Sequence, residues 1–239
     1  MISRFIIFAA FAVSSPFVLA NKITAQSWLV ADRDGRIIAA ENIKEVRSIA
    51  SITKIISSMV VLDANQDLDE FIKPYTRREL IQLSIVRSDN RAAETLCRHY
   101  PGGYLECVKA MNAKAESLGL KNTKFVDATG LGNDNKSTAE ELIKIVLEAS
   151  KYTELVHASR MSAVRIELKK KYLIFHNTNP IIGKRHEFII SKTGWIRASG
   201  GCIVMMLDTD IGRRIVVVLG SKNTHTRIPE AEFISQIKD

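Results

Sequence analysis

The sequence has few of the residues that usually build metal sites, disulfide frameworks or membrane spans. It contains three cysteines and five histidines in 239 residues, with no CxxC pair and no HExxH motif. Because the usual ligand spacings are missing, a metal site has no support, and we expect no metal and no other cofactor. After the first twenty residues, no segment is long and apolar enough to cross a bilayer. Internal repeats and low-complexity tracts are also missing.

The cysteines allow two interpretations. An oxidising compartment would permit a bridge between Cys97 and Cys107, which flank the turn Tyr100-Pro101-Gly102-Gly103. Buried, unreactive thiols are the more common state of isolated cysteines, so we favour free thiols for both residues and for Cys202.

The N-terminus has the pattern of a signal peptide. Arg4 supplies a short positive region, and residues 5–13 form an uncharged, mostly apolar run that is too short to span a bilayer comfortably. Val18-Leu19-Ala20 offers a cleavage site. We therefore expect removal of residues 1–20 and export of one domain, residues 21–239, to the periplasm or cell-wall space. An uncleaved anchor or a buried N-terminal helix is the alternative.

The formal net charge is +8, which suits contact with an anionic cell wall or membrane surface. The lysine run at residues 169–171 could indicate nucleic-acid binding. No aromatic stacking motif or groove-reading helix accompanies it, so we interpret it as a solvated loop between strands and expect no nucleic-acid partner.

The spacing of apolar residues predicts an α+β fold. Residues 27–30 are a short apolar strand candidate, and residues 36–40 return as a second strand after an Asp-Gly turn, which predicts a hairpin. Helical spacing begins near Ser51, which would open a central, buried helix. We predict an antiparallel sheet flanked by helices, together with a helical subdomain. The further predicted elements are a helix capped by Thr76, helices over 89–99 and 105–118, a structured loop over 125–135, a helix capped by Ser137 with Glu140, strands over 163–168, 172–175, 188–196, 202–207 and 215–219, and a helix over 230–237.

Three short motifs occur in order along the chain. They are Ser51-Ile52-Thr53-Lys54 at a helix start, Ser88-Asp89-Asn90 at another, and Lys192-Thr193-Gly194 on a late strand. The first two are weak alone, since residues 235–238 repeat SxxK and residues 221–223 repeat SxN, whereas KTG occurs once. Their order and structural context carry the information. The same set is typical of penicillin-binding proteins and class A β-lactamases.

The first motif places a base beside a serine. Residues three apart on a helix share a face, so Lys54 can reach the hydroxyl of Ser51. A serine becomes a good nucleophile when a neighbouring base takes its proton, and a lysine amine can do so only when neutral. Burial among isoleucines and the charge of Lys192 would lower the pKa of Lys54.

The second motif would handle the leaving group. Ser88 would relay a proton to the leaving amine, and Asn90 would hold the substrate amide and the amine of Lys54. The structural alternative is that these residues only cap a helix.

The third motif would bind the substrate. Lys192 would add positive potential, Thr193 would donate to the substrate carboxylate, and Gly194 would let the substrate backbone approach closely. Backbone N–H groups of Ser51 and Trp195 would form an oxyanion hole.

With these residues, the chain from about 27 to 234 resembles the D-alanyl-D-alanine carboxypeptidase and endopeptidase family, the low-molecular-mass penicillin-binding proteins. The resemblance implies a β-lactamase/transpeptidase-like fold and an acyl-enzyme on Ser51. It also implies peptidoglycan stem peptides as substrates and β-lactams as covalent inhibitors. Further matching stretches are residues 47–50, 90–93, 125–131 and 176–179, and residues 100–103 resemble the murein endopeptidase branch.

Three features depart from the family or stay open. The loop between Glu70 and Thr76 is shorter than in most relatives, and the resemblance places it at the border of the site. Arg227 lies where the family often has a basic residue for the substrate carboxylate, although a surface arginine is the alternative. Many relatives carry a second β domain and a C-terminal amphipathic anchor, and we expect neither here.

The competing functions are a class A-like β-lactamase and a non-catalytic peptidoglycan-binding protein. The β-lactamase would need a Glu-x-x-Leu-Asn loop for deacylation, and no such run lies between the second and third motifs. We therefore expect slow β-lactam hydrolysis. The intact motif set disfavours a non-catalytic protein. The sequence thus predicts a serine DD-peptidase, and the Tyr-Pro-Gly-Gly turn favours crosslink endopeptidase over D-Ala-D-Ala carboxypeptidase activity.

Overall fold

The computed structural model describes residues 23–168, 170–184 and 186–238. The predicted signal peptide and Lys169 of the lysine run lie outside the described residues. In the described part of the chain no helix is long and apolar enough to cross a membrane. The strands are β1 (Ser27–Asp32), β2 (Ile37–Glu41), β3 (Arg47–Ser48), β4 (Phe71–Ile72), β5 (Tyr75–Thr76), β6 (Lys136–Ser137), β7 (Ala163–Leu168), β8 (Lys171–His176), β9 (Glu187–Ile196), β10 (Gly200–Thr209) and β11 (Gly212–Ser221), and the α-helices are α1 (Thr53–Asp63), α2 (Arg77–Gln82), α3 (Asn90–Arg98), α4 (Tyr104–Ser117), α5 (Ala139–Ala149), α6 (Thr153–Arg160) and α7 (Arg227–Ser235).

The main sheet is antiparallel with the strand order β2-β1-β11-β10-β9. The predicted hairpin of β1 and β2 is confirmed. Asp32 organises its turn, because its Oδ1 atom accepts hydrogen bonds from the backbone N–H groups of Asp34 and Arg36, both at 2.9 Å. The three late strands follow as a meander, which leaves β9 at the edge of the sheet.

Both faces of the sheet are covered, because alternate residues of each strand point to opposite sides. Leu29 and Ala31 of β1 join a large core beneath the helices, whereas Trp28 and Val30 join a second core on the other face. Helix α7 packs against β10 and β11 over that second core. The fold therefore has helices on both sides of one antiparallel sheet, as the predicted α+β class requires.

Helix α1 runs through the centre of the larger core. All of its side chains from Thr53 to Val61 are buried. Burying a side chain of the size of Ile55 or Ile56 is worth about 1.5–3 kcal/mol, so the wide apolar stripe fixes this helix in place. The first residue of the SxxK motif lies in a single 3₁₀ turn, Ala50–Ile52, immediately before α1. We call this segment the Ser51 turn.

Most predicted helix boundaries hold within a few residues, but one cap was assigned wrongly. Thr76 caps α2 through a capping box with Glu79, as predicted. Helix α5, in contrast, is capped by Thr138, whose side chain accepts from the backbone N–H of Glu141. Ser137 lies one residue before that cap, in β6 and paired with Arg47 of β3, so the predicted cap is displaced by one position.

Other elements were predicted incompletely. Helix α7 begins three residues before the predicted start at Glu230, and α6 was not predicted. Residue Lys170 adopts a positive φ of 63° between β7 and β8, in agreement with a loop between strands. The short segment at 70–76 forms the small hairpin of β4 and β5.

The interpretation of Cys97 and Cys107 as free thiols is wrong. The two residues form a disulfide, with Cα atoms 5.3 Å apart, whereas Cys202 is a buried free thiol. The turn at residues 100–103 reverses the chain between α3 and α4. This reversal brings the last turn of α3 beside the first turn of α4, and both cysteines face the core between them.

The disulfide should stabilise the helical part of the fold. It closes a short loop, since the sequence separation is 10 residues. Chain-entropy arguments give such a loop about 2–3 kcal/mol of stabilisation. A reductant should therefore lower the urea midpoint of the unmodified chain. The Cys97→Ala/Cys107→Ala variant should show the lower stability with and without reductant. An unmodified chain that does not respond to reductant would contradict the bridge.

Candidate active site

The Ser51 turn is held in an unusual backbone conformation. Ala50 has a positive φ of 46°, a region that costs a residue with a Cβ about 1–3 kcal/mol and persists only where the surroundings enforce it. Two hydrogen bonds enforce it here. The backbone N–H of Ile49 donates to Asn135 O at 3.2 Å, and the hydroxyl of Thr53 donates to Ala50 O at 2.7 Å. The turn presents Ser51 at the wall of a cavity.

Lys54 is fully buried one helical turn after Ser51. Its Nζ atom lies 2.8 Å from Ser51 Oγ, 2.7 Å from Asn90 Oδ1 and 2.7 Å from the backbone oxygen of Thr129. Amide and carbonyl oxygens only accept hydrogen bonds. A neutral amine must therefore use its two hydrogens on Asn90 and Thr129, which leaves its lone pair facing the hydroxyl of Ser51.

Burial lowers the pKa of Lys54 to about 7, while the carboxylates of Asp127 and Asp89 oppose the shift. Desolvation is thus the main cause, as expected from the isoleucine-rich sequence. A substantial fraction of Lys54 is consequently neutral near pH 7, the state in which its nitrogen can accept a proton.

Lys192 of β9 is a second buried lysine in the site. Burial lowers its pKa well below the ordinary value, and the nearby charges of Lys54 and Arg227 lower it further. Its Nζ atom donates to Ser88 Oγ at 2.8 Å and to Thr193 O at 2.9 Å. Because Ser88 accepts this bond, its own hydroxyl proton can be donated to another group.

Ser88 lies at the junction between a π turn, Leu83–Arg87, and helix α3. Its φ of 60° is left-handed, and the following residue, Asp89, caps α3 by accepting from Ala92 N at 2.9 Å. The capping function of this motif thus belongs to Asp89. Ser88 and Asn90, on either side of the cap, line the same cavity as Ser51.

The loop at residues 125–135 locks against the Ser51 turn. Gly130 has a φ of 74°, and a Cβ atom there would lie 1.8 Å from the backbone oxygen of Ala50. The loop is held by Asp127, whose Oδ1 atom accepts from Thr129 N at 2.6 Å and Gly130 N at 2.7 Å. This arrangement delivers the backbone oxygen of Thr129 to Lys54.

Strand β9 closes the other side of the Ser51 turn. A Cβ atom on Gly194 would lie 3.0 Å from both Ile49 O and Ser51 N. We expected Gly194 to admit the substrate backbone, and its contacts show that the missing side chain also makes room for the Ser51 turn. Next to it, Thr193 donates its hydroxyl to that of Thr178 at 2.6 Å, and the side chain of Trp195 is half exposed.

Arg227 is buried beside β9, so the alternative of a surface arginine is wrong. Its Nη1 atom donates to Gly194 O at 2.6 Å, and burial lowers its pKa. It brings positive charge to the end of the cavity that Thr193 lines.

The residues of all three motifs meet around one cavity of about 260 Å³. Lys54 and Lys192 lie beneath its wall and contact Ser51 and Ser88. The sequence predicts no role for Thr129 or for the loop residues next to it, Gly130 and Leu131, which line the cavity. Thr129 acts through its backbone oxygen, and a backbone oxygen leaves no signature in residue type. In the described residues no group of His, Cys, Asp or Glu side chains could hold a metal ion. The cavity is lined by Ser51, Ser88, Asn90, Gly130, Leu131, Thr178, Thr193, Gly194, Trp195, Ile196 and Arg227.

An antiparallel sheet packed on a buried SxxK helix, with SDN and KTG residues around the same cavity, defines the class of penicillin-binding serine hydrolases. A family model described as D-alanyl-D-alanine carboxypeptidase matches residues 10–73 and 70–223. The D-alanyl-D-alanine endopeptidase of Escherichia coli is 33% identical over 234 residues, which cover 88% of this chain and 76% of that protein. The one from Pseudomonas aeruginosa is 33% identical over 237 residues, with 89% and 76% covered.

The fold has a matching solved structure. The crystal structure of the Streptomyces K15 DD-transpeptidase aligns with a TM-score of 0.81 at 25% identity, over 89% of this chain and 95% of that one. The chain belongs to the D-alanyl-D-alanine carboxypeptidase family. It is a serine-type DD-peptidase, so the enzyme class and the α+β fold predicted from the motifs are confirmed.

The fit between Gly130 and the Ser51 turn gives a stability test. Gly130→Ala should lower the free energy of unfolding by about 2 kcal/mol or more, because the new Cβ meets Ala50 O in a left-handed backbone. The matched control is Gly132→Ala, whose Cβ would meet only Asp127 Oδ2 at 3.7 Å. Its effect should stay within about 0.5 kcal/mol. Urea denaturation measures both, and equal stabilities would contradict the packing.

Proposed function

We propose that the chain hydrolyses D-alanyl peptide bonds of peptidoglycan stem peptides through an acyl-enzyme on Ser51. The observation that carries this proposal is the environment of Lys54. Three oxygen atoms within 2.8 Å surround its Nζ atom, and two of them can only accept hydrogen bonds. The neutral amine therefore has one free direction for its lone pair, toward the hydroxyl that is to be activated.

In the acylation step, Ser51 Oγ attacks the carbonyl carbon of a D-Ala residue while its proton passes to Lys54 Nζ. The negative charge on the substrate oxygen is held by the backbone N–H groups of Ser51 and Trp195. An oxyanion donor of this kind is worth about 3–4 kcal/mol. The C–N bond then breaks, and the proton reaches the leaving amine through the hydroxyl of Ser88.

Deacylation regenerates the serine. Water gives a proton to the neutral Lys54 Nζ as it attacks the ester carbonyl, the ester C–O bond breaks, and Lys54 passes that proton to Ser51 Oγ. None of the residues that line the described cavity is a carboxylate. A class A β-lactamase deacylates with a glutamate base, so β-lactams should remain attached to Ser51 as covalent inhibitors.

The cationic end of the cavity binds the carboxylate of the leaving residue. Arg227 and Thr193 line this end, and Lys192 lies beneath it within reach of Ser88. Burial strengthens the attraction between these groups and a bound carboxylate, because the local dielectric constant is lower than that of water. Asn90, which already contacts Lys54, faces the substrate amide from the opposite wall.

The preferred bond is the D-Ala–diamino acid crosslink, so that the enzyme acts as an endopeptidase, with D-Ala-D-Ala carboxypeptidase activity as the alternative. The Tyr-Pro-Gly-Gly turn at residues 100–103 supports this preference, as do the 33% identical relatives, which are named endopeptidases. We place the mature enzyme, residues 21–239, in the periplasm or cell-wall space, where its substrate lies. The N-terminal signal pattern supports this location.

Labelling with a fluorescent penicillin tests the nucleophile. The purified mature chain should label stably, and Ser51→Ala should lose at least about 100-fold of the labelling rate, because the attacking oxygen is removed. The matched control is Ser235→Ala, which removes the serine of the second SxxK sequence at the end of α7. That variant should label like the unmodified chain.

Three results would contradict the proposal. Labelling of Ser51→Ala at the normal rate would exclude Ser51 as the nucleophile. Rapid nitrocefin hydrolysis by the unmodified chain would favour a β-lactamase. If neither the unmodified chain nor any variant labels, a non-catalytic peptidoglycan-binding role becomes the favoured function.

A further inference from the structure

A second cavity, of about 450 Å³, adjoins the cavity that contains Ser51. Thr178 and Arg227 line both, so the two volumes meet at the cationic end of the site. We call the second volume the α7 groove, because the first turns of α7 form one wall and residues 178–181 form the other. None of its remaining residues has a role in the chemistry proposed above.

The α7 groove has an apolar floor and a polar outer rim. Ile228 is buried and Ile181 is half-buried, and together with Pro180 they present aliphatic surface. His225 is exposed and Glu232 is half-buried at the rim. The groove therefore suits an extended ligand with an aliphatic segment near Arg227 and polar groups farther out.

The wall nearest the site is fixed in position. Thr178 N donates to Val86 O at 3.0 Å, and the hydroxyl of Thr178 accepts from Thr193 at 2.6 Å. On the opposite wall, Arg227 Nη1 is tied to Gly194 O, while its Nε atom is buried without a hydrogen-bond partner in the described residues. Arg227 lines both volumes, so its guanidinium brings positive charge to their junction, which suits an anionic group there.

We infer that the α7 groove binds the second stem peptide of a crosslinked substrate, the stem that departs with the diamino acid. This inference rests on the proposed function, because it takes the leaving carboxylate to lie at Thr193 and Arg227. In a D-Ala-D-Ala end, the leaving residue stops at that carboxylate and a methyl group. In a crosslink, the leaving diamino acid carries the same carboxylate beside the released amine, and its aliphatic side chain continues into another peptide.

The α7 groove begins where that side chain must go. With the carboxylate at Arg227, the aliphatic chain passes over Ile181 and Ile228, where its burial is favourable. The peptide groups beyond it reach His225 and Glu232. Because Pro180 and His225 are exposed, the groove opens to solvent, and a stem that is still attached to a glycan strand can continue outside the enzyme.

Filling the groove with an indole ring tests the inference. Glu232→Trp and His225→Trp place bulk at the rim from two different segments, so a folding defect in one does not decide the result. Gln236→Trp is the matched control, because it adds the same ring to an exposed position at the end of α7, outside the groove. For each variant, cleavage of a purified crosslinked muropeptide dimer is measured relative to the rate of fluorescent-penicillin labelling.

The ratio of dimer cleavage to labelling should fall about tenfold or more in Glu232→Trp and His225→Trp, with most of the loss in KM, and should not change in Gln236→Trp. Ratios that match the unmodified chain in both groove variants would overturn the inference while leaving the Ser51 chemistry intact. An unmodified chain that neither labels with the fluorescent penicillin nor cleaves the dimer would instead refute the proposed function. The two failures are therefore distinguishable.

Discussion

The side-chain nitrogen of Lys54 is held by oxygen atoms from three separate segments of the chain. Ser51 Oγ comes from the turn before α1, Asn90 Oδ1 from the start of α3, and Thr129 O from the loop at residues 125–135. An isolated charge in such a buried place is costly unless it is paired, and a neutral amine avoids that cost. The contacts with Asn90 and Thr129 use both hydrogens of the neutral amine, so its lone pair points toward the hydroxyl of Ser51. Under the proposed mechanism, the geometry that permits burial of Lys54 is the geometry that activates Ser51.

Much of the surrounding fold can be understood as holding these segments together. Ala50 and Ser88 both adopt positive φ angles with side chains present, and Gly130 does so against the backbone of Ala50. Such conformations cost free energy and persist only where packing and hydrogen bonds over-determine them. Here the packing comes from α1 within the larger core and from β9 against the Ser51 turn. Three such positions, Ala50, Ser88 and Gly130, therefore lie around the nucleophile.

Burial gives the basic side chains of the site different roles. Lys54 and Lys192 both have lowered pKa values because they are desolvated, and Lys192 is lowered further by Lys54 and Arg227. A site with Arg227 at the carboxylate end and an easily neutralised Lys54 can bind an anion and still accept a proton. The alternative, a permanently charged Lys54 in this buried place, would raise the cost of folding without supplying a base.

The sequence allowed prediction of the motif residues and of most elements because side-chain identity carries that information. Ser51, Lys54, Ser88 and Lys192 are chemically distinctive, and their order along the chain is informative. Three features were out of reach for physical reasons. The acceptor from Thr129 is a backbone oxygen, and the bridge between Cys97 and Cys107 depends on how two helices meet. The cap of α5 could not be placed because Ser137 and Thr138 are both good capping residues, and only the helix start at Ala139 selects Thr138.

The protonation of Lys54 tests this account most directly. In the folded chain with ¹³C-labelled lysine, the NMR titration of its side chain, assigned by comparison with the Lys54→Arg variant, should give a pKa of about 7. A pKa near the ordinary lysine value of about 10.4 would mean that the amine is charged at neutral pH. In that case Lys54 would position Ser51 without serving as its base, and the proposed route of the proton would be wrong.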